Sequence, residues 1–336
     1  MKARIAHIAY YLPEKEFSNE DFFTIFPKER DLNSYGKLGI QNRHVCVSDE
    51  TSSDLAVKAA EILFEQSGFD KNKIDFLIFN SPENDYYTPS TSCVIQGILG
   101  LKDDIGTIDL THGCSGYTYS LSVAKGIIES GQAENILVLN ASSLTKTFHP
   151  MDKASRFVFG DAGSATWITA SEGQEGIGSF VFGTRGSDFE RIIIRDGMGR
   201  NPIRENSFSE KADEFGNVFN DACFRMDGTG VFYFSMNTVP DLVKKILVKN
   251  NIDLSEVDEV VLHQANSFML EFLRKKIGIE KERFFNSIER SGNTVACTIP
   301  IALKELMNTG KISPGKKVLV AGFGTGLSWS GTIIHF

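Results

Sequence analysis

GFDKNKIDFLIFNS (residues 68–81) lines up without a gap against NIDLSEVDEVVLHQ (residues 251–264). In this register Asp70 matches Asp253, Asp75 matches Asp258, and the apolar runs Leu77–Phe79 and Val260–Leu262 coincide, so His263 corresponds to Asn80. Each stretch follows a helix-like pattern, the first over about 54–67, and Ile74–Phe79 reads as a strand. A second pair falls in the same order. CSGYTYSLSVAKGIIESG (114–131) resembles NTVACTIPIALKELMNTG (293–310) in length and helical character. Each ends on Gly and is followed by an apolar strand, Ile136–Leu139 or Val318–Ala321. Self-similarity on this scale predicts an α/β protein of two similar halves, 1–170 and 171–336, facing each other across a pseudo-twofold axis. Cys114 and Asn293 then occupy equivalent places.

Composition narrows the function classes. With 41% apolar and 23% charged residues the 336-residue chain reads as a soluble globular protein. Its formal charge of −8, with no clustered Lys and Arg, argues against nucleic acid as a partner. No window reaches the roughly 18 apolar residues of a membrane span, and the start MKARIAHIAYYLPE is too interrupted for a signal peptide, so a cytoplasmic location is expected. Cys46, Cys93, Cys114, Cys223 and Cys297 form an odd, widely spaced set without a CxxC pair, which speaks against a disulfide framework and a zinc site.

Three positions carry the candidate chemistry. Cys114 lies in IGTIDLTHGCSGYTYSLSVAKG, a strand, a short turn and a helix start. Unpaired amides and the helix dipole there are expected to lower the thiol pKa and supply a nucleophilic thiolate; the bland alternative is a buried inert thiol. His263 follows strand Val260–Leu262 at its carboxyl end, where open α/β sheets place ligands, although a lone His is more often structural. Asn293, taken alone, is a helix N-cap; its equivalence to Cys114 brings it to the same pocket. His112, two residues before Cys114, is the rival base. GFGTGLSWSG (322–331) has no helix after it, so it reads as a turn presenting amides to an oxyanion and not as a dinucleotide fingerprint. GDAGSA (160–165) reads as a turn between strands.

Taken together, GIQNRHV (39–45), the Cys114 context, FGDAGSA (159–165), LHQAN (262–266), GNT (292–294) and AGFGTGLSW (321–329) resemble the thiolase superfamily, specifically β-ketoacyl-(acyl carrier protein) synthase III. The resemblance runs nearly end to end. It implies a five-layer αβαβα fold of duplicated halves, a homodimer, and a catalytic triad of Cys114, His263 and Asn293. The implied reaction moves an acyl group from acyl-CoA or an acyl carrier to Cys114, then joins it to a malonyl-type thioester with loss of carbon dioxide. His263 and Asn293 would stabilise the enolate, and backbone N–H groups of Cys114 and Thr325 the tetrahedral intermediate. Thr325 stands where the family usually has glycine. No cofactor or metal is implied beyond the thioester substrates. Asn266 and Phe323 fall within substrate-contacting motifs.

Departures from the family concern substrates. Asn33 and Lys153 stand where a Trp and an Arg clamp the CoA adenine, and Lys37 replaces another Arg of that channel; Lys lacks the planar stacking surface of Arg. Tyr233 and Phe268 replace two basic carrier-docking residues, while Lys275 and Lys276 remain. Thr88 replaces a bulky Phe that closes the acyl pocket across the dimer, which predicts acyl chains longer or bulkier than acetyl. Residues 200–222 are polar and long for the family and read as a loop near the entrance. Two other outcomes stay open, Cys-dependent transfer to a non-malonyl acceptor and a non-catalytic partner of another synthase; the lack of a second Cys in 322–331 speaks against a degradative or biosynthetic thiolase, and the duplicated halves speak against a Cys-His-Asn hydrolase. The acyl donor, extender unit and pathway, whether fatty-acid, other lipid, pigment or polyketide, are left undetermined by these residues.

Overall fold

The computed structural model describes residues 2–30, 33–173 and 176–336, with the backbone alone at 33 and 34, so the expectation for the Asn33 side chain lies outside the described residues. The first sheet is built from β1 (Lys2–Tyr11), β2 (Phe76–Asn80), β3 (Gly106–Leu110), β4 (Asn135–Ser142) and β5 (Ala162–Ser171), in the order β1-β5-β4-β2-β3. The second contains β6 (Gly176–Ile177), β7 (Val181–Thr184), β8 (Glu259–Leu262), β9 (Lys317–Gly324) and β10 (Ser328–His335). Pairing repeats from one to the other. β2 and β4 are parallel, as are β8 and β9; β4 and β5 are antiparallel, as are β9 and β10. The parallel partner β3 beside β2 has its counterpart in a single parallel bridge between Val260 and Phe284.

Six helices complete the layers: α1 (Ser52–Ser67), α2 (Thr91–Leu99), α3 (Gly116–Glu129), α4 (Gly228–Asn250), α5 (Ser267–Ile277) and α6 (Thr298–Asn308). The period of two along each strand decides which layer it feeds. Leu77 and Phe79 pack with α1 and α2 on one face, and Ile78 faces the central helices α3 and α6. In the second sheet Val261 faces the same central helices, while Val260 and Leu262 pack under α4 and α5. The result is helix, sheet, helix pair, sheet, helix. Because the central layer joins Tyr117 and Leu121 of one half to Ile299 and Leu303 of the other, the halves share one core.

The matched sequences hold matched structure. Thr51 and Asp54 form a capping box that starts α1, and Gly68 stops it at φ 65°; Asn251 stops α4 at φ 52°. Asp75 accepts from the N–H groups of Glu134 and Asn135 where β4 begins, and Asp258 accepts from Lys317 N–H where β9 begins. Two readings need correction. GDAGSA is not a turn between strands, since Ala162–Ala165 open β5. Small residues are required there: a Cβ on Gly163 would lie 2.1 Å from the Leu55 carbonyl oxygen, so only glycine lets α1 approach. Residues 200–222 are not a plain loop. They hold a 3-10 turn (Glu205–Phe208) and a small ribbon, Lys211–Ala212 with Val218–Phe219, anchored where Asn217 Oδ1 accepts from Ala154 N–H.

Candidate active site

Cys114 occupies the turn between β3 and α3 and is 7% exposed. The turn is held by Asn80 at the end of β2, whose side-chain amide donates to the His112 carbonyl at 3.0 Å and accepts from His112 N–H at 3.1 Å. Gly116 makes room for that amide, since a Cβ there would come within 2.2 Å of Asn80 Nδ2. The expected low thiol pKa is not found. Burial pushes the Cys114 thiol up to about 11, against the opposing pull of the Thr325 N–H, the Thr325 hydroxyl and the Cys114 N–H. Loss of water around the sulfur outweighs the amides of the helix start, so the resting group is a thiol at neutral pH.

His263 extends β8 by one residue, its N–H donating to the Ala321 carbonyl at 2.8 Å. The ring is 2% exposed, and Nδ1 lies 2.7 Å from Oγ1 of Thr298, the first residue of α6. With Nδ1 occupied, Nε2 is the nitrogen left for the cavity. Burial drives the His263 pKa down to about 3, opposed weakly by the Val295 carbonyl, so the ring is neutral. Phe323 packs edge-on to it, with centroids 5.6 Å apart.

Asn293 is reached by a different local route from Cys114. It does not cap a helix: residues 295–297 form a 3-10 turn before α6 begins at Thr298. Its backbone is clamped on both sides, N–H to the Val158 carbonyl at 2.9 Å and carbonyl to Gly160 N–H at 3.1 Å. Its Oδ1 accepts from Val295 N–H at 3.0 Å, which fixes the amide rotamer and leaves the NH2 group as the donor toward the cavity.

One cavity brings these residues together. It is lined by Cys114, His263, Asn293, Asn266, Phe323 and Thr325, and its walls are apolar, including Leu144, Phe159, Phe224 and Val231. Asn266 uses Oδ1 to cap α5 at Met269 N–H, 2.8 Å away. Lys37, Thr88, Lys153 and Phe268 are not in this lining. Lys37 and Thr88 are exposed, and Phe268 stacks with Phe232 and Phe272 on the outer face. Lys153 is ion-paired: its Nζ lies 2.7 Å from Glu29 Oε1, and Tyr35 donates to the other oxygen of that carboxylate. His112 stacks on Tyr119, centroids 4.1 Å apart, and is also absent from the lining.

Several supporting residues escape a reading of the sequence. Thr298 behind His263 is one. Ser115 and Ser328 are others, their hydroxyl oxygens 2.7 Å apart, and Thr118 meets Ser330 in the same way. The signal was present as spacing: Ser115 and Thr118 lie i,i+3 at a helix start, and Ser328 and Ser330 alternate on a strand. Glu83 is a third kind. Its carboxyl is buried, with Oε1 unpartnered and Oε2 3.1 Å from Ser81 Oγ. Among the described residues no helix is long and apolar enough to cross a membrane, and no group of three or more His, Cys, Asp or Glu is arranged to hold a metal ion.

Comparison with known proteins agrees with this geometry. Residues 108–186 match the family model of 3-oxoacyl-(acyl-carrier-protein) synthase III, and residues 247–336 match its C-terminal part. The chain is 33% identical to the β-ketoacyl-(acyl-carrier-protein) synthase III of Lactococcus lactis subsp. lactis, over 99% of both chains. A crystal structure of a 3-oxoacyl-(acyl-carrier-protein) synthase III superposes with a TM-score of 0.98 at 38% identity, covering all of both chains. The priming β-ketosynthase of the R1128 polyketide pathway superposes at 0.85 with 26% identity, over 100% of this chain and 96% of that one.

Proposed function

Because the chain belongs to the 3-oxoacyl-(acyl-carrier-protein) synthase III family of acyl-transferring condensing enzymes, we propose that Cys114 is its nucleophile and that His263 and Asn293 serve the decarboxylating half-reaction. The protein is an acyltransferase that forms an acyl-cysteine and condenses it with a malonyl thioester. The observation that carries the residue assignment is the convergence of Cys114, His263 and Asn293, drawn from both halves of the fold, on one apolar cavity.

In the first step Cys114 Sγ attacks the carbonyl carbon of an acyl-CoA or acyl-carrier thioester. The donor C–S bond breaks, and the donor leaves as a thiol carrying the proton given up by Cys114. The Cys114 and Thr325 N–H groups receive the developing oxyanion. In the second step a malonyl thioester binds with its carbonyl oxygen against His263 Nε2 and the Asn293 amide. The bond to its carboxylate breaks, carbon dioxide leaves, and the electron pair forms an enolate held by those donors. Its carbon attacks the acyl-cysteine, and collapse of the tetrahedral intermediate breaks the C–S bond, releasing the β-ketoacyl product and the Cys114 thiolate, which takes up a proton from solvent to restore the resting thiol. A neutral His263 suits this role in the tautomer protonated on Nε2, with Nδ1 accepting from the Thr298 hydroxyl, because it offers one N–H without competing to protonate the carbanion.

The chain is further read as a homodimer. Among the described residues edge strand β3 pairs only with β2, and Ile108 on it and Ile98, Tyr86 and Tyr87 are exposed, a surface that monomers ordinarily protect. The five unpaired thiols fit a reducing cytoplasm. The deciding experiment is intact-protein mass after incubation with acyl-CoA and acyl-carrier thioesters, with Cys114→Ala as control. An adduct absent from the variant, converted to product on adding a malonyl thioester, is expected. Equal labelling of the variant would remove Cys114 from the reaction, and no adduct from any donor would favour a non-catalytic subunit.

A further inference from the structure

The turn joining β9 to β10 carries a hydroxyl to which the reaction above gives no task. Thr325 lines the cavity with Cys114. Its carbonyl accepts from Ser328 Oγ at 2.7 Å, and Ser328 Oγ lies 2.7 Å from the hydroxyl of Ser115, the residue after the nucleophile. This turn is therefore tied directly to the turn that holds Cys114. Gly324 lets this turn pass against the side chain of Cys114: a Cβ built there would sit 2.8 Å from Cys114 Sγ. Gly113 provides the space on the other side, since a Cβ there would come within 2.8 Å of Thr325 Oγ1 and 3.0 Å of Thr325 Cβ. The Thr325 side chain thus packs over the residue preceding Cys114. Among the described residues its hydroxyl has no oxygen or nitrogen partner.

We propose that the Thr325 hydroxyl donates a hydrogen bond to Cys114 Sγ, acting as a positioning residue that stabilises the thiolate and aims it before the acyl donor arrives. The inference rests on the assignment of Cys114 as nucleophile. It places three donors on one sulfur, two of them from a single residue of the opposite half of the fold. The Thr325 hydroxyl and N–H both pull the thiol pKa down against burial. That pull raises the rate. One pH unit of lowered pKa gives tenfold more thiolate well below the pKa and costs about threefold in nucleophilicity, so the net gain at neutral pH is roughly threefold. The donation also ends at the right moment, because a thioester sulfur is a weak acceptor and the acylated site no longer holds the hydroxyl.

The test is the pH dependence of iodoacetamide alkylation at Cys114, read on the Cys114 peptide so that exposed Cys93 does not contribute. Wild type, Thr325→Val and Thr325→Ser are compared, with Thr325→Ala in place of valine if the methyl crowds Gly113. Loss of the hydroxyl is expected to move the alkylation midpoint up by about one pH unit and to slow labelling at pH 7 about threefold, with serine restoring both. An unchanged midpoint in valine and alanine variants overturns the proposal, as does a serine variant shifted as far as valine. Failure of the underlying assignment reads differently, as acyl labelling that persists in Cys114→Ala.

Discussion

Asn293 turns its side-chain oxygen back onto the N–H of Val295, 3.0 Å away, and Val295 adopts φ 54° to make that N–H available. A left-handed conformation is costly for a β-branched residue, so the local fold accepts strain to fix one amide rotamer. Asn293→Ala should therefore leave the acyl adduct on Cys114 at wild-type extent while condensation falls by about 10²–10³, the usual loss for one oxyanion donor. Mass spectrometry of the adduct and product formation from the pre-acylated enzyme separate the two steps.

Neutral His263 sets a pH expectation. Its pKa lies near 3, so the ring gains no proton between pH 8 and pH 5, and single-turnover condensation by the pre-acylated enzyme should show no loss from His263 across that range. Thr298→Val removes the partner of Nδ1 and should slow condensation about tenfold with acylation unchanged. A condensation rate that falls with an apparent pKa near 6.5 in wild type and not in His263→Ala would contradict this account.

Gly324→Ala should abolish acylation without unfolding the protein. The new Cβ would lie 2.8 Å from Sγ at a φ of 152°, so the strain falls directly on the nucleophile. Iodoacetamide labelling of Cys114 and a thermal melt together distinguish a blocked sulfur from a collapsed fold.

Glu83 predicts a pH-dependent stability. Burial raises its pKa to about 7, above the ordinary 4.5, with the Ser81 hydroxyl opposing. A raised folded pKa means that the native state holds a proton the unfolded chain has released, so stability is lost progressively as pH rises from about 4.5 through 7. Glu83→Gln should be more stable than wild type at pH 8, by roughly 1–3 kcal/mol, and the difference should shrink as pH falls and vanish by about pH 4, below the unfolded-state pKa. Urea unfolding at the two pH values checks it.

Donor length is the remaining expectation. The cavity wall is formed by Phe159 and Phe224, with Phe148 packed behind them at centroid separations of 5.4–5.8 Å. With Thr88 in place of a bulky aromatic, medium-chain thioesters should outcompete acetyl thioester in a mixed labelling experiment. Preferential acetyl labelling would return the chain to the short-donor class.

Much of this architecture is legible in the residues because its signals are local. The alternation at Leu77–Phe79 and Val260–Leu262 is a strand period, and Gly68, Gly131 and Gly310 mark helix ends by their left-handed backbone. The illegible parts depend on contacts far along the chain. Ala162–Ala165 is poor strand sequence and becomes strand because Leu55 passes too close to admit a side chain at Gly163. The ion pair of Lys153 cannot be known until Glu29 is seen beside it. The thiol of Cys114 depends on burial, which a helix-start pattern does not measure.

Asn80 and His263 hold the same place in the two halves and do unlike work. Asn80 grips the backbone of His112 with both ends of its amide and supports the turn from which Cys114 projects, while His263 lines the cavity. An ancestor assembled from two identical subunits would have presented each chemistry twice around its axis. Within this one chain the two equivalent places have different tasks, one holding a turn and the other lining the cavity. Exchanging the two side chains would accordingly damage the enzyme in two places at once, the support of the Cys114 turn and the wall of the cavity.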